Sequence, residues 1–88
     1  SGTPLHSSPE TLIEGISYPA SDIWSLGSSL NWAASGKYLY EVQTMNQLLD
    51  KLKYDPMPVK TPNRIFNRLL NLCLQKNPVM RLTDNELI

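Results

Sequence analysis

Between Asp22 and Gly36 the chain carries no charged side chain, and its apolar residues fall at helical spacing: Ile23, Leu26, Leu30 and Ala33, with Trp24, Gly27, Ser28 and Ala34 on neighbouring stripes. With Ser21 or Asp22 as cap, this pattern predicts a helix that ends at Ser35-Gly36-Lys37. A surface helix keeps charge on its outer side, so a helix without any is expected to be surrounded by protein. Gly27 in its interior costs about 1 kcal/mol of helix propensity relative to alanine. Close approach of another backbone would explain that cost.

The remaining elements are also helical. Ser8-Pro9-Glu10 sets a capping hydroxyl before a proline at the first helical position, with an acid facing the positive end, and predicts a short helix to about Glu14 that Gly15 ends. Tyr38-Leu39-Tyr40 forms an apolar plug ahead of Thr44-Met45-Asn46-Gln47, a capping box. Met45, Leu48, Leu49 and Leu52 then make one stripe of an amphipathic helix that ends near Lys53, since Pro56 and Pro58 forbid its continuation. Thr61-Pro62 restarts a helix whose face holds Ile65, Leu69, Leu72 and Cys73, widened by Phe66, Leu70 and Leu74. A second capping box, Thr83-Asp84-Asn85-Glu86, opens a last helix at the end of the chain. No strand pattern interrupts the series, and the fold class read from it is all-α.

At 88 residues the chain is one small domain, of a size that buries about 60–65% of the surface its unfolded state exposes. Eight basic and eight acidic residues give zero net charge, which argues against nucleic acid and anionic membrane as partners. No apolar run approaches the roughly 18–20 residues of a membrane span, and no signal peptide opens the chain. Cys73 has no second cysteine to pair with and is expected to pack in a core, which fits a reducing, intracellular and cytoplasmic setting. His6 has no cysteine, histidine or serine at a useful spacing and reads as a loop side chain. Ser1 is not an initiator methionine, so the chain reads as part of something longer.

Three strings carry a resemblance: Gly2-Thr3-Pro4 running to Ser8-Pro9-Glu10, then Ser21-Asp22-Ile23-Trp24-Ser25-Leu26-Gly27, then Asn77-Pro78 with Arg81. In this order and spacing they resemble the C-terminal part of the large lobe of eukaryotic-type serine/threonine protein kinases, most of all the NIMA-related kinases. The resemblance covers residues 1–88, from the end of the activation segment to the start of the last helix. It implies a truncated, helical portion of the lobe without the small lobe. Asn31-Trp32 stands where a tyrosine and a glutamate are usual, Tyr38-Leu39-Tyr40 replaces a proline-proline-phenylalanine plug, and Leu82 replaces a proline after the arginine. These departures suggest a divergent member.

The resemblance also implies roles. Gly2, Thr3 and Pro4 would contact the substrate, with the Thr3 hydroxyl beside the catalytic aspartate of the complete domain; read by itself, Thr3 is a turn residue before Pro4. Glu10, Asp22, Trp24, Gly27 and Arg81 would be structural anchors, with Glu10 paired to Arg81. Asp22 would accept hydrogen bonds from the catalytic loop, or simply cap its helix. Neither a catalytic residue nor a metal ligand is expected in this segment, because nothing in it matches the glycine-rich loop, the His-Arg-Asp loop or Asp-Phe-Gly. ATP and magnesium would bind elsewhere in the parent domain, whose reaction would be transfer of the γ-phosphoryl group to a protein serine or threonine. The implied partners are that substrate and the missing upstream lobe. Two other readings stay open: a pseudokinase or scaffold lobe that binds without catalysis, and an unrelated helical interaction module that exposes Met45, Leu48 and Leu52.

Overall fold

A computed structural model describes residues 3–55 and 61–81. Gly2, Pro56, Pro58, Leu82 and the capping box at Thr83 lie outside the described residues. In chain order there is a 3-10 turn at Pro4–His6, α1 at Pro9–Glu14, α2 at Pro19–Ser35, α3 at Met45–Tyr54, α4 at Arg64–Cys73 and a second 3-10 turn at Pro78–Met80. There is no strand among the described residues, so the fold is all-α. No helix among them is long and apolar enough to cross a membrane.

Local chemistry sets most of the boundaries. Ser8 Oγ accepts the Thr11 amide and Thr44 Oγ1 the Gln47 amide, while the Gln47 side chain reaches back to the Thr44 amide. α1 and α2 both close on a left-handed glycine, Gly15 at φ 71° and Gly36 at φ 72°. Lys76 closes α3 from outside the helix: its ammonium donates to the carbonyls of Lys51 and Asp55, placing a cation at the negative end.

Two starts differ from the sequence reading. α2 begins at Pro19, not at a Ser21 or Asp22 cap. Proline again takes the first helical position, and Ser21 Oγ accepts the Tyr18 amide from inside the first turn. α4 begins at Arg64 because Asn63, not Thr61-Pro62, accepts the Phe66 amide. Thr61 is held instead by Asn67, which exchanges hydrogen bonds with its backbone.

The core joins Ile23 and Trp24 of α2, Leu39 and Tyr40 of the plug, Leu48 and Leu52 of α3, and Leu70, Cys73 and Leu74 at the end of α4. Along α4 the buried side is turned from the expected one: Leu70 and Cys73 are fully enclosed, Phe66 and Leu69 lean on the core, and Ile65 is 81% exposed. Leu72 and Met45, also expected inside, are exposed. α2 is enclosed on one side only among the described residues. Ile23, Trp24, Gly27, Ser28 and Asn31 face inward, while Asp22, Leu26, Trp32 and Ala33 face out.

Gly27 lies where α2 crosses α4. A Cβ built there would sit 2.7 Å from Cys73 Cβ and 3.2 Å from two Leu74 side-chain carbons. The neighbour at 2.7 Å is fixed to its backbone and cannot rotate away, so the helices would have to separate. Gly27→Ala is expected to lower stability by roughly 1–3 kcal/mol despite its better helix propensity. Ser29→Ala, on the exposed side of α2, should stay within about 0.5 kcal/mol of the parent in the same denaturant titration.

Candidate functional site

Glu10, in the first turn of α1, meets Arg81, which follows the second 3-10 turn 71 positions later. The contact is bidentate: Arg81 Nη1 donates to Glu10 Oε2 at 2.6 Å and Nη2 to Oε1 at 2.8 Å. Nη1 also donates to the Ala20 carbonyl at 3.0 Å, Nη2 to the Lys76 carbonyl at 3.3 Å, and Nε to the Gln75 carbonyl at 2.6 Å. All five guanidinium N–H groups are thereby used. Ser21 Oγ donates to Glu10 Oε2 at 2.6 Å, and the indole of Trp24 lies under the guanidinium, ring centre to Cζ 5.2 Å.

Both charges are shut away from water, Glu10 7% and Arg81 4% exposed. Burial by itself would push the Glu10 carboxyl up. The hydrogen bonds from Arg81 and Ser21 and the positive charge of Arg81 outweigh it and hold the group down at about 2. Burial raises the Cys73 thiol, which keeps it an uncharged packing group at the α2–α4 crossing.

The second part of the site is the segment Thr3–Ser8 running into α1. Thr3 is half-buried and caps the first 3-10 turn: its Oγ1 accepts the Leu5 amide at 3.4 Å and its carbonyl accepts the His6 amide. α2 fastens the segment with hydroxyls. Ser25 Oγ donates to the His6 carbonyl at 2.9 Å, and Ser28 Oγ lies 2.6 Å from His6 Nδ1 and 3.5 Å from the Leu5 carbonyl. Thr3, Pro4 and Leu5 form one wall of a cavity of about 230 Å³ whose other wall is Val42, Met45 and Leu48 at the start of α3.

The structure thus brings together Glu10, Arg81 and Trp24, and sets Gly27 one turn further along α2. It places Thr3 and Pro4 on the separate wall near α3. Asp22 stands apart from both, exposed at the start of α2 and without a hydrogen-bond partner among the described residues. The sequence reading missed Ser21, Ser25, Ser28 and His6. Ser21 was read only as a possible helix cap, Ser25 and Ser28 only as small neutral positions on α2, and His6 was set aside because its partner lies 22 positions away. No group of three histidine, cysteine or carboxylate side chains that could hold a metal occurs among the described residues.

No protein-family model matches the chain. Individual proteins do. It is 34% identical over 84 residues to the serine/threonine-protein kinase pakE of Dictyostelium discoideum, which covers 91% of the chain and 9% of the relative. It is 36% identical over 96 residues to mitogen-activated protein kinase kinase 3 of Arabidopsis thaliana, covering 99% of the chain and 18% of the relative. With the serine/threonine-protein kinase ppk34 of Schizosaccharomyces pombe the identity is 30% over 92 residues, covering all of the chain and 26% of the relative. The chain is related to eukaryotic-type serine/threonine protein kinases. It spans roughly a tenth to a quarter of the length of these curated relatives, and its all-α fold is that of a kinase large-lobe fragment.

Removing one partner of the buried pair leaves the other charged and alone. In the complete protein, Glu10→Ala and Arg81→Ala are each expected to cost roughly 3–5 kcal/mol of unfolding free energy. A loss below about 0.5 kcal/mol would remove the pair from its structural role.

The pair also predicts an acid limb. The Glu10 carboxyl is at about 2 when folded against an ordinary value of 4.5, so its stabilisation is complete above about pH 4.5 and drains away as pH falls toward 2. Glu10→Gln cannot lose that proton. Its deficit against the parent, measured by urea titration, should be largest near pH 7 and shrink below pH 4.5.

Proposed function

We propose that these residues are the anchoring and substrate-facing portion of a serine/threonine protein kinase, and that the complete protein transfers the γ-phosphoryl group of ATP to a serine or threonine hydroxyl of a protein. The observation that carries the reading is similarity to serine/threonine kinases along nearly the whole chain. Two features agree with it. The Thr3–Ser8 segment is tied to α2 as a substrate-receiving wall would be, with Gly2, Thr3 and Pro4 nearest the acceptor. The outer side of α2 is open at Asp22, Leu26 and Ala33, a nearly uncharged surface suited to the upstream lobe, where Asp22 would receive the catalytic-loop backbone.

The sequence holds no glycine-rich nucleotide loop, His-Arg-Asp loop or Asp-Phe-Gly string on which ATP and magnesium could be placed. Both belong, in this proposal, to other parts of the parent protein. Gly-Thr-Pro with Ser-Pro-Glu, Ser-Asp-Ile-Trp-Ser-Leu-Gly and Lys76-Asn77-Pro78 support a place near the NIMA-related members.

The reading is tested with the full-length protein, magnesium-ATP labelled in the γ position and a protein substrate. Label is expected on serine or threonine. Thr3→Val should lower kcat roughly 10- to 100-fold, the scale of misplacing a reacting group by about 1 Å, while Thr3→Ser keeps most of it. A full-length protein that is folded, binds partners and transfers no label would make this lobe a scaffold.

A further inference from the structure

We propose that His6 is a positioning residue, holding the substrate-facing wall on α2 through Ser28 and thereby setting how that wall meets a protein substrate. The effect on substrate rests on the kinase reading; the clamp itself does not.

The clamp joins residues far apart in the chain. His6 ends the first 3-10 turn, and its Nδ1 is 2.6 Å from the Oγ of Ser28, which is fully buried. Its ring lies against Tyr38, centroids 5.3 Å apart and tilted by 48°. Its carbonyl takes the Ser25 hydroxyl, three positions before Ser28 and so on the same side of α2. Backbone, ring edge and ring face are therefore each held by a different group.

Proton counting shows that the contact survives in either form of the imidazole. With Nδ1 bare, the Ser28 hydroxyl donates to it. With Nδ1 protonated, the imidazole donates to Ser28 Oγ, and the hydroxyl proton turns to the Leu5 carbonyl 3.5 Å away. Leu5 is thus linked to the same serine, and Leu5 with Pro4 forms the cavity wall opposite Met45 and Leu48. Releasing His6 frees the wall without touching Glu10 or Arg81.

The test uses the full-length protein with His6→Ala, Ser28→Ala and His6→Asn, whose amide can offer a polar atom near the position of Nδ1. Losing one hydrogen bond of about 1 kcal/mol predicts roughly fivefold faster amide hydrogen exchange across Leu5–Ser8 in both alanine variants, with His6→Asn returning toward the parent. In an active protein the same variants should raise KM for the protein substrate about three- to tenfold and leave KM for ATP unchanged. Unchanged exchange in both alanine variants overturns the clamp. Faster exchange with an unaltered substrate KM overturns the positioning role. If the parent transfers no phosphate, the kinase reading fails, and exchange alone decides whether His6 holds the wall.

Discussion

The bidentate contact between Glu10 and Arg81 fixes the frame of the fold. It joins positions 71 apart, so the chain must close a long loop before the contact can form, a cost that grows only slowly with length. The larger obstacle is taking both charges out of water, which mutual attraction offsets only when every remaining donor is matched. That condition accounts for what surrounds the pair. The start of α2 contributes the Ala20 carbonyl and the Ser21 hydroxyl, and the stretch after α4 contributes the Gln75 and Lys76 carbonyls. If one of these carbonyls were withdrawn, a buried guanidinium hydrogen would be orphaned, and without the Ser21 hydroxyl Glu10 Oε2 would lose a donor. The pair therefore dictates where α1, α2 and the stretch from Gln75 to Arg81 converge, a contribution to specifying one arrangement as much as to stability.

From that junction α2 works as an axle with three sides. One side packs on α4 so closely that position 27 has no room for a methyl group. A second presents Ser25 and Ser28, whose short side chains let the Thr3–Ser8 segment lie against the helix and supply the hydrogen bonds that hold it. The third, with Asp22, Leu26 and Ala33, is open. The absence of charge from Ile23 to Ser35 has a different reason on the first two: tight packing against α4, and short hydroxyls beneath the Thr3–Ser8 segment.

What the sequence made legible was mostly local. Ser8, Thr44, Gly15 and Gly36 act within a turn of where they sit, so their caps could be placed from neighbours alone. The start of α2 was misplaced because Ser21 has the chemistry of a cap yet spends it from the third helical position, where Pro19 had already begun the helix. In α4 apolar residues occupy so many positions that two adjacent stripes fit the helical period. Only the line of contact with α2 decides for Leu70 and Leu74 over Ile65. For the site, Glu10 and Arg81 were singled out through the kinase-like strings around them, since two charges among sixteen carry no pairing signal of their own. His6 lies within one of those strings but no role attached to it there, and its partnership with Ser28 exists only once the first turn is laid on α2.

The two halves of the site are held by interactions of different strength, and that difference is mechanical. Breaking the buried ion pair exposes an unmatched charge to the interior, on the order of 3–5 kcal/mol. Each contact holding the Thr3–Ser8 segment is a single hydrogen bond worth about 1 kcal/mol, made by groups that can also satisfy themselves with water or with one another. Local opening follows the weaker set. The wall can lift from Ser25 and Ser28 while Glu10, Trp24 and Arg81 stay in place, because no side-chain hydrogen bond runs from His6 to the pair among the described residues. A rigid anchor two residues beyond a loosely fastened segment is an arrangement in which the Thr3–Ser8 surface can adjust while the helix behind it does not.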